Sequence, residues 1–126
     1  MDFKLSDEQQ MIIKTTRDFV VNELYPHEAE VEQTGVLRPE LREEIKAKAI
    51  KAGLYAANMP AEAGGAGLDT LTWVLYEKEL GRANYALHWN CVARPSNILM
   101  ACVGEQRDRH LLPSVTGEKM DCLAMT

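Results

Sequence analysis

The segment from Asn84 to Gly104 constrains the fold most, because Arg94 is its only charged residue. A helix that is apolar on nearly every side is typical of a central, buried position. Pro95 lies in the middle of the segment, where its ring removes an amide donor and clashes with the preceding helical turn. We therefore predict a buried central helix that is kinked or interrupted at Pro95.

The first half of the chain predicts two helices. Ser6 and Gln9 have the spacing of a capping box, in which each side chain binds the other residue's amide. The helix that follows should end or bend just before Pro26, because the residue preceding a proline is disfavoured in a helix. Pro39 suits the first turn of the second helix, which we expect to end at Gly53.

Two further helices are predicted after a glycine-rich loop. Asp69 or Thr70 can cap a helix that runs to about Leu80. Residues 105–113 form a short amphipathic helix that ends at a proline. The chain therefore reads as an all-α helical bundle of four to five main helices over residues 1–119. The apolar residues 120–126 have no helical pattern, and we predict that they start a β-strand.

Three glycines, at positions 64, 65 and 67, raise the question of a phosphate-binding loop. A dinucleotide fingerprint needs a third glycine where this chain has Thr70, and the Gly-Lys-Ser/Thr sequence of a P-loop is absent. Glycine also supplies the positive φ angles of a sharp reversal. We therefore interpret this loop as a turn between helices.

The composition excludes several classes of function. The net charge is -5 and no cluster of Lys and Arg occurs, so we expect no nucleic-acid binding. No run reaches the roughly 18 apolar residues of a membrane helix, and the N-terminus lacks the pattern of a secretory signal. The three cysteines form no CxxC pair, which indicates a reducing compartment. A bacterial cytoplasm is favoured over a processed organellar protein.

The chain shows no motif for a metal centre or a catalytic set. His27, His88 and His110 lack metal-ligand spacing, so we expect them at the surface or in packing, with no metal bound. The glutamates between positions 23 and 32 are interpreted as a solvated helix face. No pattern of a hydrolase nucleophile is present.

Arg94 is the charged exception in the apolar segment. Burying an unpaired guanidinium is costly, so the side chain should reach solvent, pair with a carboxylate or face a ligand cavity. Reaching solvent or pairing is the favoured interpretation. Trp73 and Trp89 lie in apolar helical stretches and are predicted to be core residues.

Four longer motifs follow one another along the chain. They are "FKLSDEQQMIIKTTRDFVVNELYPHEAE", "AIKAGLYAANMPAEAGGAGLD", "YEKELGR" and "GEQRDRHLLPSVTGEKMDCLAMT". In this order they resemble the N-terminal part of the acyl-CoA dehydrogenase family. The resemblance implies a subunit with an N-terminal helical domain, a middle β domain and a C-terminal helical bundle. Residues 1–119 would then be the first domain, and residues 120–126 the opening strand of the middle domain.

The resemblance also implies a cofactor and a reaction. FAD would be contacted by Leu123, Ala124, Met125 and Thr126, and the reaction would be α,β-dehydrogenation of an acyl-CoA thioester. The catalytic base of the family lies in the C-terminal domain, so no catalytic residue is expected in this chain. We expect the chain alone neither to reduce flavin nor to bind acyl-CoA tightly.

The resemblance further implies a pocket and partners. The kinked helix of the first domain forms part of the acyl pocket in the family, which places Asn90 and Arg94 at the pocket, with Arg94 making its floor polar. The partners implied are the acyl-CoA substrate, an electron-transfer flavoprotein as electron acceptor, and further copies of the subunit in a dimer or tetramer.

Two alternatives stay open. An acyl-CoA oxidase or a flavin-dependent monooxygenase of the same family would look alike over this region. A stand-alone helical interaction module would instead keep an apolar face for a partner.

Overall fold

The computed structural model describes residues 4–92, 94–120 and 122, and the prediction of an all-α fold is confirmed. The described residues contain no β-strand. Their α-helices are α1 (Asp7–Phe19), α2 (Tyr25–Thr34), α3 (Pro39–Lys51), α4 (Thr70–Leu80), α5 (Tyr85–Cys91) and α6 (Leu112–Val115). Two π-helical turns, Val20–Leu24 and Arg107–Leu111, precede α2 and α6, and two 3-10 turns span Ala61–Ala63 and Asn97–Ala101.

The start of α1 follows the sequence prediction. Ser6 Oγ accepts a hydrogen bond from the Gln9 amide at 3.2 Å, and Gln9 Oε1 accepts one from the Ser6 amide at 3.0 Å. This reciprocal pair is the predicted capping box, and it satisfies two amides that have no partner within the helix.

The boundary predicted before Pro26 is a π-helical turn rather than an end. The amide of Tyr25 bonds to the carbonyl of Val20, so the backbone stays hydrogen-bonded from α1 into α2. Pro26 is the second residue of α2, and because it has no amide it makes no hydrogen bond back to the π-helical turn. The helix ends only at Gly35, which has a φ of 66°.

Packing of α1 on α4 and of α3 on α5 builds the core. Its fully buried large side chains are Leu24, Ile45, Leu54, Tyr76, Leu80 and Leu87. The hydroxyl of Tyr76 donates to the carbonyl of Leu54 at 2.8 Å, so the largest of these side chains buries no unsatisfied hydroxyl. Glu79 of α4 is 3% exposed and accepts two hydrogen bonds, at 2.8 and 2.9 Å, from Arg17 of α1.

The prediction of a long buried helix between residues 84 and 104 is wrong, although the interruption near Pro95 is confirmed. The helix in this segment, α5, has seven residues and buries Leu87, His88 and Cys91. Trp89 on α5 is 44% exposed, so its assignment to the core is also wrong. Trp73 is half-buried against the core, as expected. The segment therefore buries some of its apolar side chains, such as Leu87, and leaves others, such as Trp89 and Ile98, exposed.

The glycine-rich loop is a turn, as predicted. Gly64 and Gly67 have φ angles of 93° and 62°, and the amide of Gly67 bonds to the carbonyl of Met59 at 3.0 Å. A Cβ atom on Gly65 would lie 2.1 Å from that same carbonyl oxygen. The glycines therefore serve the close packing of the loop on itself.

The end of the described chain does not test the predicted strand or the domain boundary. Met120 and Cys122 belong to no helix or strand. The remaining residues of the segment 120–126 lie outside the described residues.

We predict that Gly65→Ala destabilises the chain by about 3 kcal/mol, because the added methyl group meets backbone rather than a movable side chain. Gly35→Ala is the matched control: its Cβ meets nothing within 4 Å, so only the positive φ remains, at about 1 kcal/mol. Denaturant midpoints measure both. Equal losses of stability in the two variants would show that the contact between Gly65 and the Met59 carbonyl has no special cost.

Candidate functional site

The candidate site is α5 together with the break that follows it, because both predicted pocket residues lie there. Asn90 is half-buried on α5, and its amide nitrogen donates to the carbonyl of Ala86 at 2.6 Å. Arg94 follows the end of the helix and binds residues of α4 and α5. The two predicted residues are thus held by different partners.

Arg94 is fixed by three side chains. Its Nη1 atom donates to Glu77 Oε2 at 2.6 Å, and its Nη2 atom donates to His88 Nδ1 at 3.1 Å. The carbon of the guanidinium lies 5.0 Å from the centre of the Trp89 ring, within cation–π range. The sequence predicted that Arg94 would reach solvent, pair with a carboxylate or face a ligand cavity, and its pairing with a carboxylate is confirmed.

The contact with Arg94 determines the protonation of His88. A guanidinium has no acceptor, so His88 Nδ1 must offer its lone pair and the neutral ring carries its proton on Nε2. Burial, and then the positive charge of Arg94, lower the pKa of His88 below its usual 6.5. His88 is therefore a neutral packing residue, which agrees with the sequence prediction.

The carboxylate of Glu77 is only partly satisfied. Burial raises the pKa of Glu77, and the charge of Arg94 opposes this rise. Glu77 Oε1 and Arg94 Nε are both buried without a hydrogen-bond partner among the described residues. The pair thus offers one unused acceptor and one unused donor to a polar group. Beside Arg94, but not lined by Glu77, lies a recess of about 20 Å³ whose lining includes Tyr55 and Ser114, and it fits a single water-sized group.

A second contact secures the break itself. Asn58, in the loop before the glycines, donates to the carbonyl of Pro95 at 2.7 Å and to Asn97 Oδ1 at 3.0 Å. Sequence reasoning missed Asn58 and Glu77, because they lie 37 and 17 residues from their partners. The only sequence signal was that Arg94 needs a carboxylate.

None of the glutamates of the acidic run is buried, which agrees with a solvated face, but their carboxylates are paired. Glu23 pairs with Lys48 of α3 at 2.7 Å, and Glu30 pairs with Arg38 at 2.6 Å. Two more glutamates, Glu28 and Glu32, bind Asn84, which precedes α5. The run therefore joins α2 to its neighbours.

The predicted flavin contacts, Leu123, Ala124, Met125 and Thr126, lie outside the described residues, so their fit to FAD stays a prediction. Within residues 4–92, 94–120 and 122, no group of three potential metal ligands occurs. None of the helices in that part of the chain has the length and apolar character that crossing a membrane requires. The cysteines are free thiols, with Cys91 buried and Cys122 exposed.

Residues 6–118 match the family model described as "Acyl-CoA dehydrogenase, N-terminal domain". The chain belongs to this family. The match confirms the resemblance drawn from the four motifs, and it covers α1 to α6.

Relatives and a solved structure agree with the family. The chain is 32% identical to a probable acyl-CoA dehydrogenase of Bacillus subtilis, over all of this chain and 33% of that protein. It is 30% identical to the human mitochondrial short-chain specific acyl-CoA dehydrogenase, over 98% of this chain and 30% of that protein. The chain thus spans about a third of the length of these relatives.

The solved structure is described as "Electron transferring flavoprotein of Acidaminococcus fermentans: Towards a mechanism of flavin-based electron bifurcation". One of its chains matches with a TM-score of 0.66 and 28% identity, over 93% of this chain and 31% of that one. The helical arrangement described above is therefore shared with a solved protein.

We predict that the chain loses stability as the pH falls below 6.5, because the unfolded state then binds a proton that the folded His88 binds only at lower pH. The contribution of His88 is complete above pH 6.5 and is lost as the pH falls through its lowered folded-state pKa. The free energy of unfolding at pH 7.5 and at pH 5.5 measures this loss.

The His88→Gln variant should show a smaller loss over the same interval, since glutamine keeps an acceptor for Arg94 but does not titrate. His110→Gln is the control for the loss of an imidazole at an exposed position. If His88→Gln and the unmodified chain lose the same stability between pH 7.5 and pH 5.5, the assigned protonation of His88 is wrong.

Proposed function

We propose that this chain is the N-terminal helical domain of an FAD-dependent acyl-CoA dehydrogenase, which removes hydrogen from the α and β carbons of an acyl-CoA thioester. The observation that carries the proposal is the match of residues 6–118 to the N-terminal domain of that family. The domain contributes a wall of the acyl pocket. The catalytic base belongs to another part of the intact protein.

The exposed apolar surface around α5 supports this role. Tyr85 and Trp89 stack with ring centres 5.4 Å apart and are 64% and 44% exposed, and Ile98 beyond the break is 76% exposed. Apolar surface of this kind marks an interface or a ligand groove. In the intact protein, the acyl group and the other domains would cover it.

Asn90 and Arg94 are proposed to line the pocket. Arg94 is held by Glu77 and His88, so its charge stays in one place rather than swinging away from an apolar substrate. Placing a long hydrocarbon tail against a fixed charged pair costs solvation of that pair. A short or polar-tailed acyl group is therefore favoured, and similarity to a short-chain specific relative supports this.

The cofactor and the electron acceptor follow from the same proposal. Leu123, Ala124, Met125 and Thr126 would contact FAD, and FAD would supply the hydride acceptor for the β-hydrogen. An electron-transfer flavoprotein is the proposed acceptor of the electrons, and the matching structure of an electron transferring flavoprotein supports it. We further propose a homo-oligomer, a dimer or tetramer, in a bacterial cytoplasm.

The first test of the proposal is the reduction of flavin in the intact protein that contains this chain. We expect the purified protein to carry FAD, and short-chain acyl-CoA to bleach its visible absorbance without oxygen and to yield the enoyl-CoA. A protein without flavin, or with flavin that no acyl-CoA reduces, would overturn the proposal. Rapid reoxidation by oxygen would instead indicate the related oxidases.

The second prediction concerns the choice of acyl group. Arg94→Leu should raise kcat/KM for long straight-chain acyl-CoA relative to short-chain acyl-CoA by about tenfold, because it replaces a charge at the pocket with methyl groups. Arg38→Leu is the control, since Arg38 also pairs with one glutamate but lies at the surface. An unchanged ratio in Arg94→Leu would remove Arg94 from the pocket.

A further inference from the structure

Two glutamates of α2 bind Asn84, the residue that caps the N-terminus of α5. Glu28 Oε1 accepts a hydrogen bond from the backbone amide of Asn84 at 2.6 Å, and Glu32 accepts one from the side-chain amide of Asn84. Asn84 Oδ1 in turn accepts from the amides of Ala86 and Leu87, at 2.8 and 3.4 Å. We call Glu28, Glu32 and Asn84 the α5 clasp, because the N-terminal cap of α5 is itself held by α2.

The π-helical turn before α2 brings both carboxylates to Asn84. Glu28 and Glu32 are four residues apart, so they lie on one face of α2. The turn Val20–Leu24 holds one more residue than an α-helical turn, which changes the rotation of everything after it. Removing that residue would rotate α2 by about 100° relative to α1 and carry both carboxylates away from Asn84.

At its other end, α5 is held by the hydrogen bond between His88 Nδ1 and Arg94. The helix has only seven residues, and the side chains it buries include Leu87 and Cys91, whose apolar contacts have no preferred direction. The bonds at Asn84 are directional, and they act at the first turn of the helix. The α5 clasp therefore fixes the first turn of α5 and, together with the contact of His88, sets which side chains of α5, including Trp89 and Asn90, face outward.

We propose that Glu28 and Glu32 are positioning residues for acyl-group selection: they hold Asn84, Asn84 caps α5, and α5 presents the wall of the acyl pocket. This inference rests on the proposed function. Neither glutamate touches the substrate, and their effect passes entirely through Asn84. The chemical class selected is the acyl chain of an acyl-CoA thioester, by its length.

The test compares two double variants and one single variant of the intact protein, with a further single variant held in reserve. Glu28→Leu/Glu32→Leu removes both acceptors, whereas Glu28→Gln/Glu32→Gln keeps an acceptor oxygen at each position without the charge. Glu30→Leu is the matched control, because Glu30 lies on the same helix between the two and pairs with Arg38 instead. Glu32→Leu alone replaces the double leucine variant if the latter does not fold.

Two quantities are measured on each variant. The first is hydrogen exchange of the amides in a peptide covering residues 84–91, and the second is the ratio of kcat/KM for long and short acyl-CoA. We expect the double leucine variant to exchange roughly fivefold faster over α5, as for loss of a helix cap. Its kcat/KM ratio should change by about threefold or more, mainly through KM. The double glutamine variant should recover most of both, and Glu30→Leu should match the unmodified protein.

Each outcome decides the inference. Unchanged exchange over α5 in the leucine variants would overturn the α5 clasp. Faster exchange with an unchanged kcat/KM ratio would overturn the positioning role, while reduction of the flavin by acyl-CoA in the unmodified protein would leave the proposed function standing. Failure of the proposed function has a different signature: no acyl-CoA reduces the flavin of the unmodified protein, and the exchange measurement alone then decides the clasp.

Discussion

The position of α5 depends on polar contacts just before its first residue and just after its last. Before it, Asn84 is bound to two glutamates of α2, and after it, Arg94 is bound to Glu77 of α4. Between these points the helix buries Leu87 in the close-packed core. The directional bonds at both ends add to this packing in fixing the orientation of a short helix.

Two glutamates of α4 show that similar ion pairs have different effects here. Arg17 holds Glu79 with two hydrogen bonds, and these bonds lower the pKa of Glu79 despite its burial. Glu77 receives one bond from Arg94, and burial raises its pKa instead. The first pair therefore stabilises the contact of α1 with α4. The second pair adds little to stability. It holds Arg94, and with it the segment after α5, against α4.

The features that the sequence predicted well are those decided by neighbouring residues. The capping box of Ser6 and Gln9, the start of α3 at Pro39 and the turn at the glycines need only a few adjacent positions. The partners of Arg94 and Asn84 could not be found in this way, because Glu77 and Glu28 are brought near them by the packing of separate helices. The pairing of the acidic run was not predicted, because spacing along one helix does not show what lies opposite it.

The wrong prediction of a buried central helix has a physical cause that bears on function. Apolar composition favours burial, but it does not show whether a given apolar side chain is covered. Tyr85, Trp89 and Ile98 would be unusual as permanent solvent-facing residues, and they are grouped on and after one helix held by directional contacts. A permanent contact between two domains can be stabilised by buried apolar area alone. The fixed charge of Arg94 beside the Trp89 ring adds a polar feature to that area, which under the proposed function would help a pocket to distinguish one acyl group from another.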